Sequence, residues 1–350
     1  MVNKLFKYLG LSREDWIITA RRNYCNRSFN KKAANIKPLS SHQQKLISDF
    51  WKSIHPKAER FYSQKWYSVY NNYCKNEDDI VLYLPDDFYY CYLDNYYTNY
   101  HTTIKLDNKN MYDMYFHDVN KPKSIVRKQN GILMDSGYNV IGLNQAVNFC
   151  VTEESIIIKK ALNSDGGHGI LFFEDCNTQK DEIAKCLTNN DNFIIQSIIK
   201  QHETLASFNP QSVNTVRIMT FVYDGTPLVL SSVLRMGVNG SKVDNASSGG
   251  IVCGIMNTGE LRDGAYDSVG QKYITHPQGK RFKGTLIPSY GECEKMAKQL
   301  AMRFVNYTRL ISWDFSIDKN ENPLLIEANF TGGQLDFHQM CNGPVWGGAN

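Results

Sequence analysis

The chain has 350 residues, 42% hydrophobic and 21% charged; that is material for two or three packed units, and it excludes wholesale disorder. Its 39 Lys+Arg against 35 Asp+Glu leave a formal charge of +4, too near neutral for a dedicated nucleic-acid binder. No apolar run approaches the roughly 20 residues of a membrane-spanning helix, and the nine cysteines include no CxxC and no short Cys/His spacing suited to zinc, so reduced thiols in a cytosolic protein are expected.

Residues 1–100 read as a helical region rich in Tyr, Lys and Asn. MVNKLFKYLGLSREDW lacks the long apolar stretch and small-residue cleavage site of a secretion signal, so secretion is not expected. Segment 1–32 carries eight Lys/Arg (Lys4, Lys7, Arg13, Arg21, Arg22, Arg27, Lys31, Lys32) and the apolar Leu5, Phe6, Leu9 and Leu11. It reads as a solvated helix with a basic face; the alternative is peripheral contact with an anionic membrane surface. SSHQQKLISDFWKSI (40–54) opens with helix-capping signals and sets Leu46, Phe50 and Ile54 on one stripe. YLPDDFYYCYLDNYY (83–97) is an aromatic cluster expected to pack between domains.

From about 104 the texture changes to short strand-like runs at 156–160, 169–174, 193–199, 213–223, 228–236, 250–256, 311–318 and 323–329, with helices expected over 178–188 and 290–306. The fold class is therefore α+β: a chemistry-sized domain behind a helical N-terminal region.

ISWDFSIDKNENPLLIEAN (311–329) carries the most chemistry. The turn-rich KNEN separates two runs of alternating polarity and reads as a hairpin. With a four-residue loop, Asp318 faces Pro323, Asp314 faces Glu327 and Ser312 faces Asn329. The opposite face then collects Trp313, Phe315, Ile317, Leu324, Ile326 and Ala328. Opposed carboxylates destabilise a sheet unless a cation lies between them. Hard oxygen donors without sulfur or histidine suit Mg²⁺, with a merely solvated polar face as the bland alternative.

IIIKKALNSDGGHGILFFE (156–174) places Lys159 and Lys160 on opposite faces of a strand, ahead of a loop holding Gly166, Gly167 and Gly169. Glycines let backbone N–H groups approach phosphate, although an ordinary hairpin turn explains them equally well; the P-loop pattern GxxxxGK[ST] is absent. FIIQSIIKQHE (193–203) could offer backbone groups to an adenine edge or simply be a buried strand. Arg217 and Arg235 interrupt apolar strands, and buried arginines need phosphate or carboxylate partners.

In this order the features resemble an ATP-grasp enzyme, and more closely the sugar-transfer-associated ATP-grasp family found with bacterial surface-polysaccharide genes. The resemblance runs from about 80 to 347 and rests on YLPDDFYY, KLDNKNMYD, the lysine and glycine loop, QSIIKQHETLASFNPQSVNTVRI, VLRMG with VDNASSGG, and WDFSID with IEANFTGG. It implies two α+β subdomains clasping ATP: a linking segment 101–155, a small subdomain 156–205 with the glycine loop, and a large one 206–350 with the metal hairpin. It assigns Lys159, Gly166, Gly167 and Gly169 to the phosphates, and Gln196, Ser197, Ile198 and Ile199 to the adenine hinge. Arg217 and Arg235 go to the γ-phosphate and acyl group, and Asp314, Glu327 and Asn329 to Mg²⁺, with Mn²⁺ as the alternative ion. Asn245 and the pair Gly249–Gly250 join the nucleotide set. His168 and His202 are further candidates for phosphate or ribose, with a plain loop residue as the alternative for each. Lys128 is the candidate second nucleotide lysine, while Lys109 reads as structural. Ser197 stands where the family often has glutamate, and Ser312 where some relatives have arginine. The implied activity is a carboxylate–amine ligase joining a sugar carboxylate or amino sugar to an amine or amino acid, in the cytosol or at the inner membrane face beside the polysaccharide assembly machinery. The alternatives are a kinase acting on a sugar hydroxyl and a non-catalytic nucleotide-binding component.

Overall fold

The computed structural model describes residues 16–162 and 169–346. Gly166, Gly167 and His168 lie outside the described residues, as does the chain before Trp16.

Two antiparallel sheets face each other across a cleft. The smaller sheet holds β1 (Ser124–Gln129), β2 (Ile132–Asp135), β3 (Ile156–Lys160), β4 (Leu171–Phe173) and β5 (Phe193–Ser197) in the order β2-β1-β5-β3-β4. Segment 101–155 thus contributes two strands that the sequence reading did not mark. Ile156, Ile158 and Ile195 point to helices α1 (Leu143–Val151) and α2 (Lys180–Asn189), which bury Ala146, Val147, Ile183 and Leu187 on one face. By the alternation of a strand, Ile157 and Lys159 point to the other face, toward the cleft.

The larger sheet runs β10-β9-β8-β7-β6-β11-β12: β6 (Thr215–Tyr223), β7 (Thr226–Met236), β8 (Ile251–Ile255), β9 (Leu261–Tyr266), β10 (Lys272–Tyr273), β11 (Leu310–Ile317) and β12 (Pro323–Asn329). Its first face packs Val216, Ile218, Leu234, Trp313 and Phe315 against Ala297, Leu300 and Ala301 of helix α3 (Tyr290–Arg303). Its second face carries Arg217, Arg235 and Asp314. Over Met219, Phe221, Val233 and Leu310 this face is covered by the N-terminal helices and by α4 (Leu335–Asn342).

From Trp16 onward the N-terminal region is helical, with one correction. In the helix Ser41–Ile54, capped reciprocally by Ser40 and Gln43, the buried stripe is Gln43, Ile47 and Trp51. Phe50 of the expected stripe is exposed. Trp51 decides the phase: it stacks on Tyr62 at 4.6 Å and donates its indole N–H to the Tyr67 hydroxyl at 2.7 Å. The aromatic segment 86–97 is helical with a π turn over Tyr89–Leu93, and it reaches the large sheet, where Tyr97 meets Phe221 edge-on at 4.8 Å. The helix Trp16–Lys32 turns three of its cations inward. Arg21 pairs with Asp94, Arg22 donates to the Tyr92 hydroxyl, and Lys32 meets buried Asp336 at 2.8 Å. Each of these cations has at least one protein partner, which turns it away from a solvated basic face. No helix of the described residues is long and apolar enough to cross a membrane. All nine cysteines are free thiols, most of them buried.

Candidate active site

The cleft between the sheets has a volume of ≈ 1060 Å³. Eight Lys/Arg side chains line it (Arg21, Lys109, Lys159, Lys160, Lys200, Arg217, Arg235, Lys242) against four carboxylates (Glu174, Asp244, Asp314, Glu327). It is therefore electropositive, as a polyphosphate site requires.

The hairpin sets its acid pair as its alternation dictates. Asp314 faces Glu327 and Ser312 faces Asn329. The route to that register differs from the four-residue loop. Ile317 pairs with Pro323, leaving five residues in the turn, and a bulge at Ile326 restores the opposition of Asp314 and Glu327. Leu325 consequently drops into the core, and Ile326 turns into the cleft.

Asp314 is the hub of a buried ion-pair network. Arg217, its cross-strand neighbour on β6, grips it bidentately, Nε to Oδ1 at 2.7 Å and Nη2 to Oδ2 at 2.6 Å. Arg235 adds a contact at 3.2 Å, and the Asn329 amide approaches at 3.4 Å. Burial alone would raise the Asp314 pKa, but Arg217, followed by Arg235 and Asn329, holds it below the ordinary value, so the carboxylate stays ionised. Arg235 also meets Asp244 at 3.3 Å, and Asp244 accepts from the Thr215 hydroxyl. For Asp244 burial prevails over the pull of Arg235 and pushes the pKa up.

On the opposing sheet, Lys159 has no ion-pair or hydrogen-bond partner among the described residues. Burial, reinforced by the charge of nearby Lys109, lowers its pKa to about 8. Lys109 itself bonds Glu327. Glu327 keeps its second oxygen without a partner among the described residues. The donor set of Asp314, Glu327 and Asn329 is all hard oxygen and projects from adjacent positions of one hairpin. It fits Mg²⁺, which is commonly held by one or two carboxylates together with substrate phosphates. Lys109, Arg217 and Arg235 neutralise the same carboxylates in the protein alone.

The remaining expected residues divide. Ser197, Ile198, Ile199 and Asn245 line the cleft, and Lys200 and Gln201 extend the hinge. Gln196 is buried in β5, between Ile157 and Ser124, and does not line the cleft. The Ser197 hydroxyl is 3.2 Å from Glu153, so any adenine contact from this position falls to the main chain. Gly169 adopts φ +77 directly over Lys160. Gly249 and Gly250 do not line the cleft. Gly249 ends a short 3-10 turn at φ +94, and a Cβ on Gly250 would stand 2.4 Å from the Asp244 carbonyl oxygen, so this pair shapes the turn that presents Asp244 and Asn245. Lys128 also lies outside the cleft. Its buried ammonium donates to the carbonyls of Leu187 and Thr188 at 2.7 and 3.3 Å, closing the end of α2. Lys109, read from the sequence as structural, does line the cleft, on a one-turn element with no strand alternation to reveal its direction. His202 accepts from the Thr204 N–H at 3.1 Å and caps a short turn. Asp244 was not singled out, although its neighbour Asn245 was; its signal is a lone acid beside two buried arginines.

The model of the sugar-transfer associated ATP-grasp family matches residues 91–348. Among solved structures, the chain is similar to D-alanyl-alanine synthetase A from Vibrio cholerae, at 11% identity and TM-score 0.40, over 69% of this chain and 59% of that one. It is also similar to D-cycloserine synthetase, at 9% identity and TM-score 0.43, over 70% of this chain and 69% of that one. A third is the ATP-grasp ligase PsnB complexed with a precursor variant, Mg and ADP, at 13% identity and TM-score 0.39, over 70% of this chain and 58% of that one. None of the curated proteins searched matches the chain.

Proposed function

The chain belongs to the sugar-transfer associated ATP-grasp family, and from that premise we propose that it is an ATP- and Mg²⁺-dependent carboxylate–amine ligase working through an acyl phosphate. The observation that carries the reading is the convergence, in one electropositive cleft, of Lys159, Arg217, Arg235 and the oxygen set Asp314, Glu327 and Asn329, beside the hinge 197–201.

In this reading the hinge takes the adenine, with Ile157, Ile198 and Ile326 supplying apolar contact. The carboxylate of the first substrate attacks the γ-phosphorus, the bond to ADP breaks, and an acyl phosphate forms. The amine then attacks the acyl carbon, phosphate departs with the electron pair, and the amine loses its proton. Asp314, Glu327 and Asn329 would hold Mg²⁺, which supplies neutralising charge to the phosphates when bound. Lys159 has no partner among the described residues, so it can close on phosphate without breaking a bond to any of them. Arg217 and Arg235 are rigidly pre-set by Asp314 and Asp244, so their positive edge is oriented before substrate arrives. Lys109 balances Glu327 in the protein alone and lines the same cleft, so its charge would stand beside the phosphates. The substrates are a sugar carboxylate or amino sugar and an amine or amino acid.

The test is turnover with ATP, Mg²⁺ and a panel of uronic and amino acids, with hydroxylamine replacing the amine. A hydroxamate formed together with ADP supports the acyl phosphate. ADP formation with a stable phosphoester and no hydroxamate would assign kinase chemistry instead.

A further inference from the structure

The second face of the large sheet carries both the Arg217–Asp314–Arg235 network and the N-terminal helices. Where that helical cover ends at the cleft, it leaves a wall made of Arg21, Tyr24, Tyr90 and Tyr100. Arg21, Tyr24 and Tyr90 precede residue 91, where the match to the family model begins. The wall is tied to the phosphate-facing arginines through a short relay. Arg217 uses Nε and Nη2 for Asp314 and Nη1 for Gln334. Two residues back, the Gly332 N–H donates to Asp94 at 3.2 Å, and Asp94 holds Arg21. The tyrosine wall therefore stands beside Arg217, whereas the hinge stands beside β3 on the opposing sheet.

From this arrangement we propose that the N-terminal helices build the acceptor side of the cleft, as a subsite for a sugar ring; the proposal rests on the nucleotide reading above. Three features define the ligand class. The first is room: at ≈ 1060 Å³ the cleft exceeds the usual single-ligand range of roughly 300–1,000 Å³, which leaves space beside a nucleotide. The second is an amphipathic aromatic surface. Tyr24 is 44% exposed and is backed edge-on at 5.4 Å by the buried Tyr90 ring, which lies against Gly332. Tyrosine offers a π face to the polarised C–H groups of a pyranose and a hydroxyl to its oxygens. The third is an unspent donor pair. Arg21 lies 5.3 Å from the centre of the Tyr100 ring and, among the described residues, donates through Nη1 alone, to Asp94 and to the Tyr90 carbonyl. Its Nε and Nη2 have no partner among the described residues, and they suit ring hydroxyls or a sugar carboxylate. A purely aromatic ligand would use the tyrosines and leave these donors unmet.

Saturation-transfer NMR and calorimetry on the full chain with ADP and Mg²⁺ test the proposal, with methyl glucuronide, galacturonic acid and glucosamine as sugar probes and tyramine as the aromatic control. At least one sugar should bind, and Tyr24→Ser should weaken it about tenfold by removing an exposed stacking face, while ADP affinity stays within about twofold of wild type. Tyr100→Ala should weaken the same sugar. Wild-type protein that binds ADP but no sugar, equal sugar affinity in Tyr24→Ser, or binding of tyramine alone would overturn the subsite and leave the ligase reading standing. Wild-type protein that fails to bind ADP would overturn both.

Discussion

Lys159 should make nucleotide binding proton-linked in a measurable way. Its ammonium sits partly buried with no counter-ion among the described residues, and the pKa falls from 10.5 to about 8. At about 1.4 kcal/mol per pKa unit, the site forgoes roughly 3 kcal/mol by keeping this charge unpaired. A polyphosphate supplies the missing partner and restores a high pKa. The sign follows. Below pH 8 the lysine is already protonated and binding takes up nothing. As pH rises through about 8, the free protein loses the proton that the complex keeps. Binding of ADP should then take up about half a proton at pH 8 and nearly one at pH 9, and affinity should fall about tenfold between pH 7 and 9. The nucleotide's own phosphates are largely ionised over this range, since a phosphate monoester titrates near ~6. Calorimetry in buffers of different ionisation enthalpy reads the uptake directly, and Lys159→Met should abolish it. Wild-type protein showing no uptake at pH 8 and a flat affinity profile would refute the reasoning.

Three further outcomes follow from the geometry. Asp314→Asn leaves two buried arginines facing a neutral amide, and thermal or denaturant unfolding should show a loss of about 3–5 kcal/mol. Lys128→Met strands the carbonyls of Leu187 and Thr188; it should cost about 1–3 kcal/mol of stability and leave ADP affinity unchanged, which separates it from the cleft lysines. Gly250→Ala drives a methyl group into the Asp244 and Met236 carbonyls and should lower the melting temperature by an amount worth about 1–3 kcal/mol.

What could be read from the sequence was periodic, and what could not was set by long-range packing. The opposition of Asp314 and Glu327 follows from alternation on both strands. The five-residue turn and the Ile326 bulge cancel in register, so only the faces of Leu324, Leu325 and Ile326 betray them. Lys159 declares its face through the isoleucines beside it, as strand residues do. Lys128 also lies on a strand, but its ammonium is claimed by the carbonyl end of α2, some 60 residues away in sequence. Lys109 lies on a single 3-10 turn, where no periodicity announces a face. In the helix Ser41–Ile54 two stripes compete, and Trp51, with its indole bonded to Tyr67, outweighs Phe50. The tyrosines of the N-terminal region are visible as a composition, but their meeting with the cleft depends on Asp94 joining Arg21 to the Gly332 loop across 238 residues of chain.

The central claim is that the β11–β12 hairpin grips a divalent ion against a nucleotide's phosphates. It is tested most directly by ADP affinity measured with and without Mg²⁺ in wild type and in Glu327→Gln, which preserves shape and removes one charge. The account predicts that Mg²⁺ tightens ADP binding in wild type and has little effect in the variant, with both proteins equally folded. Equal Mg²⁺ dependence in the two would contradict it.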